Sequence, residues 1–211
     1  MKKYKCVIFD CDGVLVDSEP VSIQVLVDIA NEYGAGIDFD YGMKHFKGSF
    51  FTACKRMISE LAQKELPDSI EDEYRQRSFQ AFKKDMKPVE DVKEVLKNLD
   101  RPFCVASSGP EDKIELNLGL TGLLPFFKNK IFSCYKIQKW KPDPAVFLWA
   151  AETMGFKPEE CVVIEDSLSG VRAAKAGGFD VFGYVAHDYN NELKGVATET
   201  FDSMSKLLKM I

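Results

Sequence analysis

The 211-residue sequence is poor in several things, and each shortage removes a class of protein. Histidine occurs twice, at His45 and His187, too few and too far apart for a zinc centre built on imidazoles. The six cysteines (Cys6, Cys11, Cys54, Cys104, Cys134 and Cys161) include no CxxC pair, and most lie in or beside apolar runs. They read as buried free thiols rather than a disulfide framework, and any metal should prefer oxygen ligands. No apolar run approaches the roughly 20 residues of a membrane span, and the stretch after the basic start stops at Asp10. A cytoplasmic protein with no membrane partner is expected. The 28 Lys and Arg are outnumbered by 33 Asp and Glu, giving a net charge of −5, and they form no dense stripe, so nucleic acid is not an expected partner. There is no repeat and no low-complexity tract.

What remains is an ordinary globular composition, with 45% apolar and 29% charged residues, in a chain long enough for one large domain or two modest ones. Short apolar runs stand at Tyr4–Phe9, Phe103–Ala106, Lys130–Ser133, Cys161–Ile164 and Val181–Tyr184, with a weaker one at Thr198–Phe201. They are continuous rather than alternating, as strands covered on both faces are, and helical patterns separate most of them. The pattern predicts an α/β fold on a parallel sheet. Gly109-Pro110, Asp143-Pro144 and Asp166-Ser167 each predict a helix start, two of them with Pro at the first helical position, and Gly177-Gly178 ends the helix opening at Ser167.

Between the first two strands lies far more chain than a crossover needs. From Ser18 to about Lys87 the pattern is helical: a segment to Tyr33, a Gly-rich turn, a helix across Phe50–Gln63, a break at Pro67 and a charged helix Ser69–Asp85. This predicts a small inserted helical domain, with Phe50, Phe51, Phe79 and Phe82 inside it.

Chemistry-bearing residues follow four of the strands. The first runs into Asp10-Cys11-Asp12-Gly13, the second into Ser107-Ser108-Gly109, the third is followed by Lys141-Pro142-Asp143-Pro144, and the fourth by Glu165-Asp166. In a parallel sheet the carboxyl ends of strands face the ligand crevice, so four carboxylates, a hydroxyl, a helix amino terminus and a lysine converge. That set suits phosphoryl transfer through an aspartyl phosphate. Like charges about 4 Å apart cost on the order of 4 kcal/mol per pair at an effective dielectric near 20, so four carboxylates and a phosphate call for Lys141 and a divalent cation. All-oxygen donors point to Mg2+.

These motifs, Asp10-Cys11-Asp12-Gly13, Ser107, Lys141 and Glu165-Asp166, resemble in order the four motifs of the haloacid dehalogenase-like hydrolase superfamily across essentially the whole chain. The insert, Asp17-Ser18-Glu19 and the Lys-Pro-Asp-Pro signature resemble its β-phosphoglucomutase-like, phosphatase-rich subgroup. Ser108-Gly109-Pro110 with Lys113, and the run Tyr135–Trp140, look like the branch that includes 6-phosphogluconate phosphatases, from which the chain departs in having Ser108 in place of Asn.

The resemblance implies a Rossmann-like core (1–16 and 88–211) with helices on both faces of a parallel sheet, and an α-helical cap (17–87). It implies that Asp10 attacks phosphorus, and that Asp12 protonates the leaving oxygen and then activates water. It also implies that Mg2+ is held by Asp10, the Asp12 backbone carbonyl and Asp166, with Glu165 acting through water. Ser107, Ser108, Gly109 and Lys141 would hold the phosphoryl group. A small phosphorylated substrate is expected, and for a sugar acid the cap offers Lys44, His45, Lys47, Lys55 and Arg56 around Gly48. Asp12 argues against carbon–halogen cleavage, which uses a first motif lacking it. A phosphosugar mutase is disfavoured because its cap histidine and arginine are missing near Ser22 and at Phe50-Phe51. A phospho-accepting module without turnover is a third reading, opposed by the insert and by Asp12. The expected state is a monomer or weak homo-oligomer.

Overall fold

The computed structural model describes residues 4–47, 49, 51–188 and 190–211. Six strands, β1 (Cys6–Phe9), β2 (Phe103–Ser107), β3 (Ile131–Ser133), β4 (Cys161–Glu165), β5 (Asp180–Tyr184) and β6 (Glu199–Phe201), form one parallel sheet in the order β3-β2-β1-β4-β5-β6. The helices are α1 (Glu19–Glu32), α2 (Phe39–His45), α3 (Phe51–Ala62), α4 (Ile70–Asp85), α5 (Val92–Asn98), α6 (Glu111–Leu120), α7 (Cys134–Ile137), α8 (Ala145–Met154), α9 (Leu168–Ala176) and α10 (Leu207–Met210). The chain divides into two compact units, one of Asp17–Met86 and one of the segment ending at Val16 together with Lys87–Ile211. Among the described residues no helix is long and apolar enough to cross a membrane.

In the sheet unit, Cys6 and Ile8 of β1 share one face with Cys104 and Val163, packed under Phe147 of α8 and Val171 of α9. Val7 and Phe9 point the other way, where the Phe9, Phe103 and Phe127 rings meet edge to face at centroid distances of 5.5 to 6.5 Å. Strands buried on both faces need no polar alternation, which is why they read as unbroken apolar runs. Each fully buried Phe is worth roughly 2 to 3 kcal/mol of transfer free energy. All six cysteines are buried and free.

The chain order places a switch at β1, whose neighbours β2 and β4 lead away on opposite sides. In register, Phe9 lies beside Val105 on β2 and Ile164 on β4, and the Asp10 N–H continues the ladder by donating to the Ile164 carbonyl at 2.9 Å. Asp10 therefore emerges level with the ends of β2 and β4, the place where parallel sheets bind ligands.

Helix starts differ by one residue from the expected pattern. Pro110 and Pro144 stand at the N-cap positions of α6 and α8 rather than inside the helices. The Asp143 carboxylate instead accepts from the Ala145 N–H at 2.8 Å, satisfying one of the amide donors that a helix start leaves open. Ser167 caps α9, its hydroxyl accepting from the Gly170 N–H at 3.1 Å.

In the helical unit, Ile23 and Leu26 of α1 share a core with Met43 of α2, Cys54 and Ile58 of α3, and Ile70 of α4. Phe82 is buried and Phe51 stacks on Tyr74 at 5.1 Å, whereas Phe79 is exposed, under the Lys83 ammonium at 4.7 Å. The buried stripe of α4 runs through Ile70, Ser78 and Phe82, and a 100° step per residue carries Phe79 off it. The expected core role of Phe50 lies outside the described residues.

Candidate active site

Lys141 organises the centre of the site. Its ammonium donates to Asp10 Oδ1 at 2.5 Å, to Glu165 Oε1 at 2.7 Å and to the Ala106 carbonyl at 3.1 Å. These three contacts use the full donor capacity of a lysine, so the charge has one position. Its side chain is 3% exposed, and those of Asp10 and Glu165 are 11% and 1% exposed. Burying such a group is costly unless every polar atom finds a partner, and an arrangement of this kind is weak evidence of stability.

Glu165 is held at both oxygens, since Oε2 accepts from the Ser167 N–H and hydroxyl, each at 2.9 Å. Gly170 makes room for it, because a Cβ there would fall 1.8 Å from Glu165 Oε1. Asp166, the next residue, lies against Gly13, where a Cβ would fall 2.0 Å from Asp166 Oδ2 and where the backbone φ is +79°. Glycine is thus required twice over at position 13, by conformation and by the approach of a carboxylate.

Burial raises the Asp10 carboxyl from 3.8 to about 7; Lys141 opposes the rise and Glu165 adds to it. Burial pushes the Lys141 ammonium down, but Asp10 and Glu165 more than reverse this and hold it above the ordinary lysine range. The Cys11 thiol is driven well up by burial and by the carboxylates of Asp12 and Asp10, so it is no thiolate nucleophile. Asp12 meets Lys113 of α6, whose Nζ donates to Asp12 Oδ2 at 2.9 Å.

On β2, the buried Ser107 hydroxyl accepts from the Gly109 N–H at 3.1 Å, and Ser133 at the end of β3 donates to the Gly109 carbonyl at 2.6 Å. Ser108 is exposed, its hydroxyl 4.0 Å from the Cys134 sulfur. This loop leads through Pro110 into α6. The sheet unit thus gathers Asp10, Lys141 and Glu165 in one hydrogen-bonded group, with Ser107 at the end of β2 and Asp12 and Asp166 just after β1 and β4.

In the helical unit Lys47 pairs with Glu19 at 2.8 Å, Lys55 with Asp68 at 2.9 Å and Arg56 with Glu60 at 4.0 Å, while the His45 ring lies 4.3 Å from that of Tyr41, tilted by 33°. Gly48 lies outside the described residues. Trp140, just before Lys141, is 41% exposed and meets Tyr135 edge to face. Two contacts escape a reading of motifs alone: that of Ser167 with Glu165, where the capping pattern marks only a helix start, and that of Lys113 with Asp12 across 101 residues, where the sequence marks only a neighbour of the Ser108-Gly109-Pro110 segment.

A parallel sheet with an aspartate pair after its first strand, a serine after the second, a lysine bridging to the first strand's aspartate, and an acidic pair ending the fourth defines a hydrolase class. The chain belongs to the haloacid dehalogenase-like hydrolase family, whose model matches residues 4–178. It is 32% identical to 6-phosphogluconate phosphatase of Escherichia coli (strain K12), covering 98% of this chain and 94% of that protein. It is 30% identical to a phosphorylated carbohydrates phosphatase of Thermotoga maritima, over 89% of this chain and 88% of the other. A solved haloacid dehalogenase-like protein of Agrobacterium tumefaciens, of unknown function, superposes with a TM-score of 0.91 at 29% identity, covering 98% of this chain and 97% of that one.

Proposed function

We propose that the protein is a Mg2+-dependent phosphatase of small phosphorylated metabolites, sugar phosphates or sugar-acid phosphates with 6-phosphogluconate among them, and that it works through a phosphoaspartate on Asp10. The observation that carries this is the Lys141 ammonium shared between Asp10 and Glu165 at the switch point of the sheet. The names of the two curated relatives support the substrate class. The six buried free thiols suit a cytosolic protein, acting as a monomer or weak homo-oligomer.

An Asp10 oxygen attacks phosphorus while the ester P–O bond breaks, and Asp12 gives its proton to the departing oxygen. Water then attacks the phosphoaspartate and yields a proton to Asp12, freeing Asp10 and inorganic phosphate. Lys141 offsets charge between nucleophile and phosphoryl group, and Ser107, Ser108 and Gly109 hold phosphoryl oxygens ahead of α6. Lys47 and Gly48 remain the cap's contribution to substrate.

The donor set fits Mg2+. Asp10, Asp166 and the Asp12 backbone carbonyl are all oxygen donors that would hold the ion, and Glu165, with both oxygens engaged by Lys141 and Ser167, would act on it through water. Among the described residues no three His, Cys, Asp or Glu side chains form a ready cage, and Mg2+ characteristically takes one or two carboxylates with water and phosphate. When bound, the ion neutralises charge on the phosphoryl oxygens.

Phosphate release from a panel of sugar phosphates and sugar-acid phosphates, with Mg2+ and then chelator, tests the reading in wild type and Asp10→Asn. The expected result is Mg2+-dependent release that disappears in the variant, which still folds. Release retained by Asp10→Asn would overturn the nucleophile, and isomerisation of a hexose phosphate without net release would replace the phosphatase with a mutase.

A further inference from the structure

Lys113 stands in the sequence beside the Ser108-Gly109-Pro110 segment without a role in the four motifs, and the structure sets it against Asp12. Lys113 sits in the first turn of α6, an element anchored by the buried residues Ile114 and Leu118. Its stem passes Gly109, with Cδ 3.6 Å from where a Cβ would stand, and its Nζ ends 2.9 Å from Asp12 Oδ2. The two side chains are 32% and 29% exposed, and an ion pair so open to water adds little to stability. Its value lies in direction: a lysine rooted on a helix behind the phosphate loop reaches over that loop to the one carboxylate that exchanges protons with substrate and water.

We propose that Lys113 is a positioning residue for the hydrolytic half of the reaction, holding the Asp12 carboxylate where it receives the proton of the attacking water. This rests on the assignment of Asp12 in the phosphatase reading. In the step concerned, the water oxygen bonds to phosphorus as the bond from phosphorus to Asp10 breaks. The water proton passes to Asp12, Asp10 is released as a carboxylate, and phosphate leaves. Lys113 keeps its protons throughout and acts only through Asp12.

p-Nitrophenyl phosphate separates the two halves, because p-nitrophenolate departs without needing a proton. Rapid-quench kinetics with saturating Mg2+ would compare wild type, Lys113→Met and Lys113→Arg, with unfolding curves alongside. In Lys113→Met the first-turnover release of p-nitrophenol should stay within about twofold of wild type, while steady-state kcat falls about tenfold and phosphoenzyme accumulates. Lys113→Arg should recover most of the loss. An equal fall in first turnover and steady state would overturn the proposal, placing Lys113 on the phosphoryl group instead, and so would an unchanged kcat. Failure of the wild type to release phosphate from this ester and from the sugar-phosphate panel would overturn the phosphatase reading, and this inference with it.

Discussion

At the scale of single residues the site is a problem of buried charge. Lys141 is the counter-ion of both Asp10 and Glu165, and truncating it leaves two carboxylates in a pocket with no ammonium. Removing one partner of a buried pair typically costs about 3 to 5 kcal/mol, so Lys141→Met should lose activity and also shift the urea midpoint downward. Unchanged stability would mean that the carboxylates are better solvated than their burial indicates. Gly13→Ala probes the Asp166 carboxylate. The φ of +79° costs an L-residue about 1 kcal/mol, but the larger effect is a methyl placed against Asp166. The Mg2+ concentration for half-activation should rise at least about tenfold, read from phosphate release against added metal. An unaltered Mg2+ dependence would remove Asp166 from the ligand set. Asp10, Asp12, Ser107, Lys141, Glu165 and Asp166 are legible in the sequence because each follows a recognisable strand or opens a loop beside one. Lys113 and Ser167 are visible in the sequence, as a neighbour of the Ser108-Gly109-Pro110 segment and as a helix start, but their partners are not, because which distant or neighbouring carboxylate each meets is set only by the folded chain.

At the scale of elements, hydrophobic continuity carries most of the information. Strands buried on both faces announce themselves, so β1 to β5 appear in the sequence within a residue or two of their ends, whereas the edge strand β6, exposed at Glu199 and Thr200, gives only the weaker run, and the glycine pair after Ala176 marks the end of α9. The short helix α2 is hidden among turn residues, because its N-cap Asp38, accepting from the Tyr41 N–H at 2.8 Å, supplies a start signal that periodicity over seven residues cannot back. Phe79 lies outside the core it is expected to join for a related reason: two phenylalanines three apart look like one face, yet the stripe of α4 is narrow and ends at Phe82. Helix α9 offers a test in which propensity and packing disagree. Replacing Gly170 by Ala inside a helix ordinarily stabilises it by about 1 kcal/mol. Here the new Cβ would fall 1.8 Å from Glu165 Oε1, and Glu165 is fastened by Lys141 and Ser167. Packing should win, so Gly170→Ala is expected to lower both the melting temperature and kcat. A higher melting temperature with full activity would show that Glu165 can move aside without consequence.

At the scale of the molecule, the proposed reading sets protons, a divalent cation and folding in competition for the Asp10 carboxylate. In the metal-free protein burial lifts Asp10 from 3.8 to about 7, and the charged groups shaping that value are Lys141, which lowers it, and Glu165 and Asp12, which raise it. Between these two pH values the folded chain keeps a proton that the unfolded chain has lost. The stability this contributes is therefore full below about pH 4 and is lost as the pH climbs through 7. A divalent cation held by the ionised Asp10 reverses the dependence: at pH 6 it must displace a proton, and at pH 8 it need not. A fixed Mg2+ concentration should accordingly raise the melting temperature more at pH 8 than at pH 6, with the gain levelling off above the Asp10 transition. Asp10→Asn should flatten the pH dependence of that gain and shrink the gain itself, since the variant has neither the proton nor the full ligand. Thermal unfolding of wild type and Asp10→Asn at both pH values, with Mg2+ and with chelator, makes the comparison directly. A gain of equal size at pH 6 and pH 8 in the wild type would show that Asp10 is already ionised without metal, with Lys141 outweighing burial.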